Sequence, residues 1–240
     1  METNLSDGRR RVLLGMLATG VFAVPGVAVV GCSSVVGRRP ERLPPDRSVL
    51  RAEGGFSVNG SAGNDATLVR PGDEVETGPD GGLVFVVGET ALFARPSTRL
   101  RLVPDAGGTR LERVALEAGA VLTVFPERVH RIETPLAVVG IRGTGVYAAV
   151  ETGRDYICTC YGTVYIGARS DPASSETIES VRHDAPRYVL ASGASGTRLR
   201  AAPFRDHSDA ELLMLESLVG REPPYAVRED AYGMPRRRAY

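Results

Sequence analysis

Short runs of apolar and β-branched residues dominate the chain between residues 49 and 200, and they are separated by Gly, Pro and Asp. The runs recur roughly every 8–12 residues, a spacing typical of β-sandwiches, β-rolls and barrels. No convincing helical period runs through this region. The sequence therefore predicts an all-β fold, a β-sandwich or β-roll of many short strands. The strands are predicted at 83–87, 100–103, 121–125, 145–151, 155–161, 163–166 and 188–190.

A different pattern follows these strands. Ser208 and Glu211 have the spacing of a capping box, in which each residue satisfies a backbone N–H of the other. Leucines then recur at helical intervals, and Gly220 ends the pattern. We expect one amphipathic α-helix of about three turns, packed on the β body.

The first 31 residues have the pattern of an export signal. Arg9 and Arg10 precede an uncharged stretch that runs from Val12 to Gly31. Together with the apolar residues that follow, the arginines match the twin-arginine pattern. The stretch ends at Cys32, which looks like the lipid-accepting cysteine of a bacterial lipobox. The alternative is an uncleaved membrane anchor, because a stretch of this length, about 20 residues, is also enough to span a bilayer.

The chain accordingly divides into four predicted segments: an export signal (1–31), a lipid-anchored tether (32–48), the β domain (49–200) and a C-terminal helix with a tail (201–240). The tether is rich in Arg and Pro. Both interpretations of the leader place the β domain in the cell envelope, facing the periplasm. Its membrane contact would then be the N-terminal lipid, and the membrane leaflet stays open.

Composition excludes several kinds of function. Acidic and basic residues balance at 29 each, which disfavours a nucleic-acid partner. Every basic side chain other than histidine is arginine, so no lysine Schiff base or P-loop lysine is possible. The carboxylates show no acid–base pairing and the serines no nucleophile elbow. We therefore expect a protein that is not an enzyme.

The most distinctive motif is the segment from Glu133 to Thr144, with Thr134-Pro135 at its start and Arg142-Gly143-Thr144 at its end. It resembles the FecR-like periplasmic domain, in which a Thr-Pro start, an apolar run and Arg-Gly-Thr recur. Three further segments fit the same family in order: 70–78, 116–120 and 160–164. The resemblance covers roughly residues 55–195.

This resemblance implies a non-enzymatic β module that binds, scaffolds or senses a signal in the envelope, with a protein partner there. Signalling members of the family carry a cytoplasmic anti-sigma region before a membrane span. Only eight residues precede the arginines here, so the sigma-factor role is not carried over. Arg142 is expected to be half-buried and to need a carboxylate or carbonyl partner. The motif is then either a packing and register device or a recognition site.

Cys158 and Cys160 lie two residues apart in a predicted strand, so both thiols face the same side. Three interpretations stay open. The cysteines are a structural pair, either two small buried side chains or a strained local disulfide; they form a metal or redox site; or they pair with another protein. His183 is the candidate third metal ligand, with Asp184 beside it in sequence. Apart from this possible metal ion, no cofactor is expected.

The other two histidines have simpler explanations in the sequence. His130 is expected on the surface of a strand, and His207 is explained by the start of the helix.

Two hypotheses follow for the function. A binding or scaffolding module should have an exposed apolar or aromatic groove on the β body. A metal- or redox-responsive protein should bring both sulfurs and the His183 imidazole within ~4 Å, as tetrahedral zinc requires.

Overall fold

The computed structural model describes residues 40–226. The predicted signal residues Arg9 and Arg10, the predicted lipidation site Cys32 and the tail from residue 227 onward lie outside this range. The export and lipidation assignments therefore stay predictions.

The elements with described bounds are fifteen strands and one helix, which we name in chain order; residues 224–226 are also helical. The strands are β1 (Val49–Glu53), β2 (Phe56–Val58), β3 (Ser61–Ala62), β4 (Glu74–Thr77), β5 (Gly82–Val87), β6 (Thr90–Ala94), β7 (Arg99–Pro104), β8 (Leu111–Ala118), β9 (Ala120–Val124), β10 (Val129–Glu133), β11 (Ala137–Glu151), β12 (Arg154–Ala168), β13 (Asp171–Ser180), β14 (Arg187–Leu190) and β15 (Leu199–Ala201); the helix is α1 (Asp209–Leu218).

All fifteen strands belong to one curled sheet. Its main order is β1-β5-β6-β9-β11-β10-β8-β7-β4-β2-β3. The long strands β11 and β12 form an antiparallel hairpin, and β12 also pairs with β13 and β14. The β8–β10 pair is parallel, whereas the other described pairs are antiparallel. The hairpin thus joins the main order of strands, which contains β11, to the strands β13, β14 and β15, which reach it through β12.

The central strands are apolar on both faces. In β5, Phe85 packs in a large cluster that includes residues from most strands, whereas Val84 and Val86 pack in a second cluster with α1. In β11, Val146 and Tyr147 divide between the clusters in the same way. We call the second one the helix-side cluster. Since alternate residues of a strand face opposite sides, both sides of these strands need a cover.

Helix α1 covers the helix-side cluster. Its capping box forms as the sequence predicts, with Ser208 as N-cap and Glu211 as its partner. Leu212, Leu215 and Leu218 are buried in the cluster. Burying each of these leucines stabilises the packing by about 1.5–3 kcal/mol, more than a ten-residue helix gains by itself in water.

Two polar contacts fix the helix on the sheet. Arg95 donates to Glu211 at 2.7 Å, and the buried Tyr161 hydroxyl donates to Glu216. Glu216 is also paired with Arg221 at 2.7 Å. A buried carboxylate needs such partners, so these contacts set the position of the helix as well as its packing.

The prediction of an all-β fold with one C-terminal helix is confirmed. Most predicted strands are present with small changes at their ends. The strands expected at 155–161 and 163–166 are one strand, β12, because Gly162 takes a positive φ of 81° and lets the chain continue through an irregularity. Among residues 40–226, no helix has the length and apolar character needed to cross a bilayer.

The sequence analysis placed His130 on the surface of a strand, and this prediction is wrong. His130 alternates with exposed neighbours in β10 and is 1 % exposed, against the Phe125 ring. Arg128 donates to its Nε2 at 3.2 Å, which requires a neutral imidazole at that nitrogen. Burial, together with the nearby Arg128 and Arg221 charges, lowers the pKa of His130 to about 4.

We predict that His130 makes the fold sensitive to mild acid. In the unfolded chain His130 is protonated below its ordinary pKa of about 6.5. In the folded chain it stays neutral until the pH falls to about 4. Stability from this group is complete above pH 6.5 and is lost as the pH falls toward 4, by up to about 3 kcal/mol.

Urea unfolding of wild type and His130→Gln at several pH values between 4 and 7 measures this effect. The variant keeps an oxygen acceptor for Arg128 but does not titrate, so its stability should fall less steeply with pH. Parallel curves for the two proteins would contradict the assignment.

Candidate metal centre

Cys158 and Cys160 lie on β12 and face the helix-side cluster. Both are free thiols and both are fully buried. The pairing with β11 passes from Val146–Thr159 to Gly145–Tyr161, which leaves Cys160 unpaired in a β-bulge. Bulges re-aim side chains and often lie next to functional sites. The local-disulfide alternative is therefore not what the structure has, and both sulfurs are free to act as ligands.

His183 comes from the loop between β13 and β14. Its backbone has a positive φ of 55°, and its N–H donates to the Cys160 carbonyl at 2.9 Å. These constraints hold the imidazole against the strand, with Nδ1 3.7 Å from the Cys158 sulfur. Its side chain is 8 % exposed. The sequence prediction that His183 lies beside the cysteines agrees with this geometry.

His207 completes the cluster from the segment that leads into α1. Its ring stacks on Tyr147 with centroids 4.6 Å apart. Nε2 lies 3.4 Å from the Cys160 sulfur and 3.1 Å from His183 Nδ1. The residue is buried, and Phe204 covers both imidazoles at centroid distances of 4.4 and 4.8 Å.

Three of the six separations among the four potential ligand atoms are close to those of a tetrahedral zinc site. The four atoms all lie within 4.8 Å of one another. Zinc bound at its usual distances would place nitrogen pairs about 3.3 Å apart and sulfur–nitrogen pairs about 3.6 Å apart. The observed separations are 3.1 Å for the nitrogens and 3.4 and 3.7 Å for the sulfur–nitrogen pairs.

The outer nitrogen of each imidazole is fixed by an oxygen acceptor. His183 Nε2 lies 2.9 Å from Asp209 Oδ1, and His207 Nδ1 lies 2.8 Å from the Arg205 carbonyl. In the tautomers that carry their protons on the outer nitrogens, the two inner nitrogens present lone pairs toward each other. Such outer-shell acceptors are the usual support of metal-binding histidines. In those tautomers both inner nitrogens are available as metal ligands.

The protonation equilibria in the cluster are strongly shifted. Hydrogen bonding from Cys160 outweighs burial and lowers the pKa of Cys158, with further contributions from the two histidines. Burial raises the pKa of Cys160. Burial alone would lower the pKa of His183, but its contacts with Cys158 and Asp209 raise it. The thiolate of Cys158, the better metal ligand, is thus favoured.

The sequence analysis missed His207 and Asp209. His207 was explained by the start of the helix, and 24 residues separate it from His183. One signal was available: the chain has only three cysteines and three histidines, and four of these six meet here. Asp184, the neighbour in sequence, instead accepts from the backbone N–H groups of Val181 and Arg182.

The Arg-Gly-Thr motif lies where β11 changes partners. Up to Arg142 the strand pairs with β10, and from Gly145 onward it pairs with β9. Gly143 takes a positive φ of 62° between them, and Thr144 is fully buried. Arg142 is exposed, not half-buried as expected, because it projects from the outer side of the strand between Ile141 and this break.

The start of the motif has a structural role as well. The Thr134 hydroxyl accepts from the Ala137 N–H at 2.8 Å, and the buried Asp155 accepts from the Leu136 N–H at 2.9 Å. Pro135 is exposed at the turn between β10 and β11. These contacts favour the interpretation of the motif as a packing and register device.

A surface groove of about 660 Å³ lies at the other end of α1. Its lining combines apolar side chains such as Leu68 and Val219 with Arg42, Arg47 and Arg70. The groove is a mixed apolar and cationic surface. In the part of the chain that the structure describes, groups able to bind a metal converge at the Cys158, Cys160, His183 and His207 cluster.

Comparison with known proteins gives a distant structural match. Two crystal structures of a candidate anti-sigma factor from Parabacteroides distasonis, at 1.65 and 2.50 Å resolution, align with a TM-score of 0.43 and 11 % identity. The alignment covers 60 % of this chain and 64 % of theirs. No family model matches the chain, and no curated protein matches it.

We predict that Gly143 matters for stability and Arg142 does not. A Cβ at Gly143 would lie 3.1 Å from the Glu127 backbone, at a φ that side chains disfavour. Gly143→Val should lower the free energy of unfolding by about 1–3 kcal/mol, whereas Arg142→Ala should change it by about 0.5 kcal/mol or less. Chemical denaturation of the two variants provides the measurement. Equal effects would argue against a register device.

Proposed function

We propose that this protein is a non-enzymatic regulatory module that binds one zinc ion through Cys158, Cys160, His183 and His207. The observation that carries the proposal is the convergence of four potential ligand atoms within 4.8 Å of one another, on three buried residues and one half-buried residue. Two thiolates and two imidazoles form a ligand set that zinc prefers. The proposal combines the two hypotheses from the sequence: a binding module whose ligand is a metal ion.

The number of ligands argues against catalysis at this site. Catalytic zinc keeps one position open for water or substrate, whereas structural zinc has four protein ligands. Here all four positions of a tetrahedron would be filled by side chains, and three of the residues are buried. A closed site supports a structural or sensing role.

The cellular setting of the proposal rests on the sequence. A twin-arginine-like signal and a lipid on Cys32 would hold the module in the envelope, where the metal supply differs from that of the cytoplasm. The partner that receives its output would be an envelope protein.

We predict that the full-length protein, purified without chelator, contains about one zinc ion per chain. The double variant Cys158→Ser, Cys160→Ser should lose the metal, because serine hydroxyls are poor zinc ligands. Elemental analysis gives the stoichiometry. Cobalt titration of the reduced apoprotein should give the intense visible bands of a tetrahedral thiolate site.

Two variants serve as matched controls. Cys32→Ser replaces the one cysteine that is not a proposed ligand, and His130→Gln replaces the one histidine that is not a proposed ligand, so both variants should keep the metal. Absence of zinc after purification, together with no uptake of zinc or cobalt by the reduced protein, would reject the proposal.

We predict further that Asp209 positions His183 for the metal. Asp209→Asn should weaken zinc binding about 10- to 100-fold, since the outer acceptor orients the ring and raises its basicity. Asp209 also pairs with Arg182. Arg182→Gln breaks that ion pair but leaves the His183 contact, so it should bind zinc nearly as wild type does. Competition with a chromophoric chelator measures both affinities; equal losses would assign the effect to the ion pair.

A further inference from the structure

The four ligands of the proposed zinc site come from two separate parts of the fold. Cys158 and Cys160 belong to β12, and His183 lies in the loop that follows β13. His207 lies beyond β15, next to the N-cap of α1. An ion held by all four would therefore connect the segment 203–219, which we call the helical segment, to the β body.

The metal site also contacts the first turn of α1 through a second route. The Asp209 carboxylate lies 2.9 Å from the outer nitrogen of His183. The N-terminal end of the helix is thus tied to the site by a ligand that precedes it and by an acceptor within it. Other contacts of the segment with the β body include the buried leucines of α1 and the Glu211 and Glu216 pairs. Arg205 also pairs with Glu151, and the Tyr156 hydroxyl donates to the Pro203 carbonyl at 3.0 Å.

Without those contacts the helix has little stability of its own. A helix of ten residues is marginal in water, even with a good N-cap. Attachment to the β body and helix formation are therefore coupled. Whatever binds the attached state more tightly than the detached state also promotes the helix.

We propose that metal binding controls the attachment of the helical segment to the β body. The proposal depends on the zinc site proposed above. In the attached state an ion has four ligands, whereas in the detached state His207 leaves with the segment and three remain. Zinc then favours attachment by the ratio of its two affinities, and its removal favours detachment by the same ratio.

Detachment would change what the protein presents to its surroundings. The helical segment covers apolar side chains of the sheet, including Leu122, Val124 and Tyr147. Loss of the ion would expose this face to water more often. The exposure of this face of the sheet would then depend on whether zinc is available: it would be covered with zinc bound and exposed more often without it.

Amide hydrogen exchange of the full-length protein, with zinc and after chelation, tests the proposal. Amides of α1 should exchange at least about tenfold faster after zinc removal, which corresponds to a modest coupling between sites. Amides of β4 and β7, which lie away from β9 and β11 in the sheet order, should keep their rates. They report whether the β body stays folded.

Two variants separate the bridge from general packing. In His207→Ala the bridging ligand is absent, so α1 should exchange rapidly both with and without zinc. In Leu215→Ala the helix is loosened by lost packing, but the bridge is intact, so zinc should still slow exchange. Retention of β4 and β7 protection in both variants shows that each is folded.

The outcomes distinguish this proposal from the one on which it depends. If the protein binds zinc stoichiometrically but α1 exchanges at the same rate with and without it, the control of attachment is wrong and the metal site stands. If the protein takes up no zinc, the metal site is wrong and the control of attachment falls with it.

Discussion

The central strands of the sheet are apolar on both faces, so the fold depends on a cover for each face. Side chains on one face pack against other strands in the large cluster, and helix α1 covers the side chains on the other face. A short helix brings little stability of its own. The sheet therefore stabilises the helix by burying its leucines, and the helix keeps the outer side of β5, β9 and β11 away from water. Each element makes the other stable.

The Cys and His cluster lies at the N-terminal end of this cover. Cys158 and Cys160 share a side of β12 by alternation, and the β-bulge at Cys160 brings the next residue, Tyr161, into the same helix-side cluster. The two cysteines belong to the proposed metal centre, and the Tyr161 hydroxyl donates to Glu216 of α1. The same irregularity in β12 thus serves both the ligand set and the helix contact. This explains why the site and the cover occupy one region of the sheet.

The sequence predicted the periodic features of this fold and missed those that depend on distant contacts. Strands such as β5 and β9 and the capped helix follow from local alternation and spacing. His130 was misassigned because its burial depends on Phe125 across a turn. His183 could be suggested from its chemistry alone. His207 could not be suggested as a ligand, because nothing in the local sequence indicates that the segment before α1 lies next to β12.

The proposed ion would account for the chemistry of the cluster. Four buried polar side chains in an apolar cluster are unfavourable unless each has a partner, and apolar residues of similar size would fill the same space. The outer nitrogens of His183 and His207 lie against oxygen acceptors, and their inner nitrogens lie 3.1 Å apart. A single proton could bridge one pair of atoms. A cation at the centre satisfies both nitrogens and both sulfurs together, and it does so across the junction of sheet and helix.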